Sequence, residues 1–273
     1  MFAYIDPTIR ERLIAQEKLI RIDAQGQLID VRSAPTEGTH ALNILGPIPM
    51  PVLIDGRTID LQWYAFVRHT ELAKVDDLAR ELRERGGQRL FSVLVSHMSV
   101  NSVLVAGDFN PDAEPLVRVH SSCLTGDVFG SQRCDCGPQY ISAIERLDQE
   151  PNGGLLVYMA GHEGRGIGLW AKAVTYLLQD AGENTYQANR SLGLPDDSRD
   201  FTDAAAILHY FIGAKRAFRL LTNNPKKVND LKSFGLDKIT QVKHVVGVGD
   251  WNRRYLSAKR DWGHILEKDD LES

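Results

Sequence analysis

Apolar residues at Ile9, Leu13, Ile14, Leu19 and Ile20 recur among charges, and this spacing predicts an amphipathic helix over residues 8–22. From 23 to 60 the pattern turns to weak alternation, broken by Gly26, Gly38, Gly46, Pro47, Pro49, Pro51 and Gly56, so short strands and turns are expected. A charged helix over 72–85 is expected to stop at Gly86-Gly87. Apolar runs at 90–95, 100–105 and 116–119 read as strands. Beyond residue 150 the rhythm changes. Strands are expected at 155–159, 218–222 and 239–246, and helices at 167–179, 201–211, 225–234 and 252–266. The pattern predicts an α/β fold, α+β in detail: a β-rich N-terminal half followed by alternating strand–helix units.

The composition changes this picture little. With 273 residues, 43% hydrophobic and 25% charged, the chain has ample length for a large core in one or two domains. A net charge of −4 argues against a general nucleic-acid or acidic-membrane binder. The start, MFAYIDPTIRERL, carries an early acid and no apolar core, unlike a secretory signal, and no stretch approaches a membrane span. The odd cysteine count suits a reducing cytoplasm rather than a disulfide framework.

All three cysteines, Cys123, Cys134 and Cys136, fall in one fourteen-residue window. Three thiolates without a fourth leave a zinc ion one open position, the pattern of catalytic sites. Water in that position is activated near neutral pH. The competing readings are three small buried thiols, or a closed structural site completed by His120.

Two further loops carry candidate chemistry. The run Gly161-His-Glu-Gly-Arg-Gly-Ile-Gly168 links a strand to a helix, where glycines and free amides suit an anion. Its spacing is neither the dinucleotide fingerprint nor the Walker signature, and Glu163 and Arg165 point to a polar ligand. Thr222-Asn-Asn-Pro-Lys-Lys227 opens another helix with a hydroxyl, amides and two ammonium groups, a phosphate cradle or simply a well-capped helix. Arg199 stands among Asp196, Asp197 and Asp200, which fits either a helix start or an arginine held over a phosphate. Tyr176 by itself reads as a packing aromatic.

Taken together, these runs resemble the GTP cyclohydrolase II family of riboflavin biosynthesis. The resemblance rests on Arg118-Val-His-Ser121, Cys123-Leu-Thr-Gly-Asp127, Arg133-Cys-Asp-Cys-Gly137, Glu163-Gly-Arg-Gly-Ile-Gly-Leu169, Arg199-Asp-Phe201 and Leu221-Thr-Asn-Asn-Pro-Lys-Lys227. It covers about residues 115–266. It implies one Zn2+ per chain on Cys123, Cys134 and Cys136, and Mg2+ accompanying the triphosphate. It implies that GTP is bound by Arg118, Val119, His120, Ser121, Ser122, Gln139, Glu163, Gly164, Arg165, Thr185, Thr222 and Lys227. Asp197 would be the proton acceptor, Arg199 the nucleophile at the α-phosphorus and Tyr176 an aid to ring opening. A guanidinium is charged and lacks a lone pair, so a charge clamp is the chemically easier role for Arg199.

The implied reaction opens the imidazole ring of GTP, releasing formate and pyrophosphate and leaving 2,5-diamino-6-(5-phospho-ribosylamino)pyrimidin-4(3H)-one. A cytoplasmic homodimer with no nucleic-acid or membrane partner is expected. The expected organisation is an N-terminal extension over 1–45, a catalytic domain over 46–268 and a flexible tail over 269–273. The chain departs from the family at Ser122, where glutamate is usual, at Gly161-His162, where arginine-glutamine is usual, and at Ala171, where asparagine is common. His162 is a candidate to replace the polar group that Ser122 lacks. The alternatives are a relative acting on another nucleotide or ring, and a zinc-stabilised nucleotide-binding module without turnover.

Overall fold

The computed structural model describes residues 5–74 and 99–271. One nine-stranded mixed sheet runs through it, in the order β2-β1-β3-β4-β5-β7-β6-β8-β9. The strands are β1 Leu19–Asp23, β2 Leu28–Ile29, β3 Ala41–Ile54, β4 Arg57–Arg68, β5 Asn101–Ala106, β6 Leu116–Ser121, β7 Gly154–Met159, β8 Phe218–Leu221 and β9 Ile239–Val242. Every pairing from β2 to β7 is antiparallel, and those joining β7, β6, β8 and β9 are parallel. The longer helices lying wholly among the described residues are α1 Pro7–Ala15, α2 Cys136–Asp148, α3 Gly168–Asp180, α4 Thr185–Ser191, α5 Thr202–Phe211, α6 Pro225–Ser233 and α7 Arg253–Asp261. The β-rich half followed by strand–helix alternation is therefore present as expected.

Side chains alternate across a strand, so β6 and β7 supply two cores. Val117, Val119, Leu155, Val157 and Met159 pack with Ala204 to Leu208 of α5 and with Val228 and Leu231 of α6. Leu116 and Leu156 face the other way, against Ala143, Ile144 and Leu147 of α2. Burial on both faces explains why these strands read as continuous apolar runs. Arg118 and His120 share the Leu116 face towards the carboxyl end of β6. They are buried polar exceptions, at 5% and 2% exposure.

The helix expected over 8–22 is shorter. It ends at Ala15, Glu17 takes a left-handed φ of 55°, and Leu19 and Ile20 belong to β1. Pairing of β1 with β3 from Leu19↔Leu45 to Asp23↔Ala41 outweighs the local helical spacing. The short strands expected before residue 60 are instead one long hairpin, β3–β4, closed at Asp55-Gly56 with φ of 47° and 77°. Pro47, Pro49 and Pro51 are compatible with β3 because their period of two puts every missing N–H on one side. β1 pairs only up to Leu45 and leaves that side uncovered.

The boundary expected after residue 45 falls inside β3, and the sheet continues across it. The last helix ends at Asp261 rather than 266, with Gly263 at φ 102°. Within the expected tail, Asp269–Leu271 form a 3-10 turn with Leu271 buried and Asp270 paired with Lys243. Residues 69–74 are helical, while the remainder of the helix expected over 72–85 and the strand expected over 90–95 lie outside the described residues.

Candidate active site

The carboxyl ends of β6, β7 and β8 open into three loops that meet in one cleft, the usual ligand position of an α/β sheet. The loop after β6 begins with Cys123 and winds through a π-helical turn, Leu124–Val128, before reaching Cys134 and Cys136. Asp127 fixes the start of this turn. Its carboxylate accepts from the Cys123 amide at 3.0 Å and the Tyr158 hydroxyl at 2.9 Å, and His120 Nε2 stands 3.2 Å from both of its oxygens.

The three sulfurs converge within 4.8 Å of one another, with Cys123 Sγ 3.6 Å from Cys134 Sγ. Gly126 makes the convergence possible, since a Cβ there would sit 3.0 Å from Cys134 Sγ and 3.2 Å from Cys123 Sγ. The three thiols compete for charge. Hydrogen bonding from Cys134 and Cys136 keeps Cys123 far below an ordinary thiol, and hydrogen bonding to it pushes Cys134 up to about 11 and Cys136 well above the usual value. A divalent cation removes that conflict by deprotonating all three, and a soft donor set of this kind suits zinc. The residues fit the metal. Among the described residues the metal-competent cluster is the three cysteines alone, and His120 is turned to Asp127 instead.

Behind the thiols lies a buried ion pair. Lys172 Nζ donates to Glu163 Oε1 at 2.6 Å and to Cys123 Sγ at 3.1 Å, while Glu163 Oε2 accepts the Leu124 amide at 2.7 Å. Tyr176 on α3 brings its hydroxyl 3.0 Å from Thr125 Oγ1. Asp135, between two cysteines, accepts from Lys259 of α7 at 2.7 Å and from Gln139 Nε2 at 2.7 Å. Gln139 Oε1 in turn accepts from Arg118 Nη2 at 2.7 Å.

The opposite wall is cationic. Arg165 adopts a left-handed φ of 64° beside Gly164 at 60°, which costs about 1–2 kcal/mol. That bend lays its guanidinium 4.0 Å over the Tyr186 ring, which stacks on Trp262 at 4.7 Å. Both Nη atoms of Arg165 are buried and find no acceptor among the described residues. Among the described residues Lys227 Nζ donates to the Val119 carbonyl alone, at 2.7 Å, and burial pulls it well below an ordinary lysine. Burial also draws Arg118 down to about 10. Thr222 Oγ1 accepts from the Asn224 amide at 3.1 Å, and Asn224 caps α6.

Arg199 is gripped by Asp197, with Nε to Oδ1 at 2.9 Å and Nη2 to Oδ2 at 2.6 Å. Burial alone would lower Arg199 and raise Asp197. The pair overcomes both, so the guanidinium is raised and the carboxylate lowered.

Most of the residues singled out from the sequence line this cleft: the three cysteines, Arg118, His120, Ser121, Ser122, Gln139, Gly164, Arg165, Tyr176, Thr185, Arg199, Thr222 and Lys227. Val119, Glu163 and Asp197 stand one layer behind and hold Lys227, Lys172 and Arg199. His162 meets Ser121, not Ser122, whose hydroxyl donates to the Ala160 carbonyl at 2.8 Å. Sequence reasoning missed Tyr255, Lys259, His264 and Asn189, which also line the cleft. A usable signal was present in α7, where five basic and aromatic residues precede the first acid, Asp261.

At the carboxyl ends of its parallel strands, the mixed sheet sets a three-thiol cluster that suits a soft metal against a cationic wall that suits an anion. The family model described as GTP cyclohydrolase II matches residues 85–243, and the chain belongs to that family. It is similar to the riboflavin biosynthesis protein RibBA of Salinispora arenicola, at 46% identity over 76% of this chain and 49% of that protein. The RibBA of Mycolicibacterium gilvum is 40% identical over 95% of this chain and 62% of its own length. A probable bifunctional riboflavin biosynthesis protein of Oryza sativa subsp. japonica is 48% identical over 59% of this chain and 29% of its own length. The chain thus spans about half the length, or less, of most of these relatives.

Proposed function

We propose that this chain is a zinc-dependent GTP cyclohydrolase II, which opens the imidazole ring of GTP and releases formate and pyrophosphate, leaving the 2,5-diamino-6-(5-phospho-ribosylamino)pyrimidinone. The observation that carries this reading is the placement of three convergent thiols opposite Arg165, Arg199 and Lys227 in one cleft. Cys123, Cys134 and Cys136 would hold the zinc, which when bound supplies a Lewis acid and an activated water. The buried cations on the facing wall suit a triphosphate, with Mg2+ as its companion.

Arg199 acts as a charge clamp in this reading. Asp197 raises its affinity for the proton, so neutral guanidine for nucleophilic attack is harder to reach than in water. The pair is pre-oriented to neutralise charge developing on a leaving phosphate. Tyr176, held by Thr125 next to the thiols, is placed to donate a hydrogen bond during ring opening. The same reading makes the molecule a cytoplasmic homodimer. Leu169, Trp170 and Leu177 leave an apolar face of α3 exposed at 43%, 86% and 70%, suited to a second copy. Among the described residues no helix is long and apolar enough to cross a membrane.

The deciding experiment incubates purified protein with GTP, Zn2+ and Mg2+ and resolves products by mass. Formate, pyrophosphate and the pyrimidine product are expected. Unchanged GTP alongside retained binding would favour the non-catalytic module, and turnover of a different nucleotide would favour a divergent relative.

A further inference from the structure

His162 is buried at 5% exposure in the loop after β7, with its ring edge-on to Phe201 at 5.0 Å. Its two nitrogens have different partners. Nε2 lies 2.9 Å from the Asp200 carbonyl oxygen, and Nδ1 lies 3.2 Å from Ser121 Oγ. A carbonyl only accepts, so Nε2 carries the proton. In the neutral ring Nδ1 then offers a lone pair, and burial holds the ring neutral by pulling it down to about 4. Ser121 must therefore donate its hydroxyl proton to His162, which turns its oxygen lone pairs towards Arg199. Arg199 Nη1 donates to that oxygen at 3.2 Å. Nη1 is the guanidinium nitrogen that Asp197 does not hold.

We propose that His162 is a positioning residue that acts on Arg199 through the Ser121 hydroxyl, fixing the third corner of the guanidinium plane. Without an acceptor at Nδ1 the hydroxyl is a free rotor, and part of the time its proton points at Arg199 instead of its lone pair. The guanidinium then keeps its charge and its two-point grip on Asp197, but its Nη1 corner loses a constant acceptor and can tilt about that grip. Proximity without alignment lowers the rate of a step more than it weakens binding.

As a statement about turnover, the inference rests on the proposed GTP reaction. Two substitutions separate the positioning role from simple packing. In His162→Asn the amide oxygen takes the place of Nδ1, and in His162→Gln the amide nitrogen takes the place of Nε2. With the zinc-loaded full chain and GTP, kcat is expected to fall about tenfold in His162→Gln and only about twofold in His162→Asn, with KM little changed in both. In a Ser121→Ala background the His162→Gln step should cost almost nothing further. The reverse ranking, or independent effects that multiply, would overturn the proposal in favour of a bond that only secures the Asp200 carbonyl.

Nitrogen-15 spectra of the same proteins read the relay without turnover. His162 is expected as the Nε2–H tautomer, and the Arg199 Nη signals should be resolved in wild type and in His162→Asn but averaged in His162→Gln. If GTP is untouched while these spectra behave as stated, the functional reading fails and the relay stands. An Nδ1–H tautomer, or Arg199 signals indifferent to His162→Gln, defeats the relay whatever the assay shows.

Discussion

Arg199 and Asp197 meet edge to edge, two nitrogens on two oxygens, with Asp197 3% and Arg199 10% exposed. A two-pronged pair this deeply buried depends on the planar fork as well as on the charge. Arg199→Ala should lower pyrophosphate release at least a hundredfold. It should also reduce stability by about 3–5 kcal/mol, because it leaves the carboxylate buried alone. Arg199→Lys should keep a measurable residue of activity, well above the alanine variant. A lysine variant as inactive as alanine would speak for the nucleophile role and against the clamp.

Cys134→Ser removes one of three sulfurs that lie within 4.8 Å of each other. Zinc measured by mass spectrometry should fall from one per chain to a small fraction, and formate release should disappear. The circular dichroism spectrum should stay as in wild type, because the sheet packs independently of the thiols. Loss of the fold along with the metal would identify a structural ion.

Gly126→Ala adds a methyl group 3.0 Å from Cys134 Sγ and from Cys136 Cβ. Gly126 does not occupy the left-handed region, so any penalty comes from crowding the sulfurs and not from a φ that only glycine tolerates. Zinc affinity is expected to drop about tenfold or more in competition with a chelator, with a small change in melting temperature.

Histidines lowered by burial make the molecule acid-sensitive, His69 and His120 among them. Burial lowers His162 to about 4, and His244 and His264 to about 3. Each binds its proton more weakly in the folded state, so the unfolded chain takes up protons first as pH falls. Stability is therefore full above about pH 6.5 and declines by about 1.4 kcal/mol per unit for each histidine on the way down to pH 4. Urea midpoints at pH 7.5, 6 and 5 should fall in that order. His244→Gln combined with His264→Gln should flatten the slope, and an unchanged slope would remove both groups from the explanation.

Trp170 and Leu177 are one heptad apart on α3 and expose one apolar strip. If that strip is the contact of a homodimer, Trp170→Lys should move the light-scattering mass from two chains towards one. A variant that keeps the wild-type mass would place the contact elsewhere.

The cysteine cluster and the strands β6, β7 and β8 were legible because each is a local signal. Three soft ligands in fourteen residues, or a run such as Gly154–Met159 that is apolar on both faces, needs no distant partner to be read. Leu19 and Ile20 were misread because their spacing fits a helix, and only pairing with β3, more than twenty residues away, makes them a strand. Prolines at 47, 49 and 51 hid β3 because their tolerance depends on which side β1 leaves uncovered. α7 carried a compositional signal, but its place as a cleft wall was illegible for a similar reason. Tyr255 and Lys259 look like ordinary solvated positions until Lys259 finds Asp135, 124 residues earlier.

That last contact sets an order of events in the making of the molecule. A ribosome completes the thiol segment, with its buried Asp135, long before it reaches Lys259. For that interval the carboxylate between the two cysteines lacks its cation, and Gln139 is its remaining side-chain donor. Domains assemble from the amino end during synthesis. Here β1 to β7 and the sulfur cluster are made first, and β8, β9 and the α7 side of the cleft follow them. The cleft therefore waits on a helix made long after the segment it faces, and it closes only when α7 turns back to Asp135.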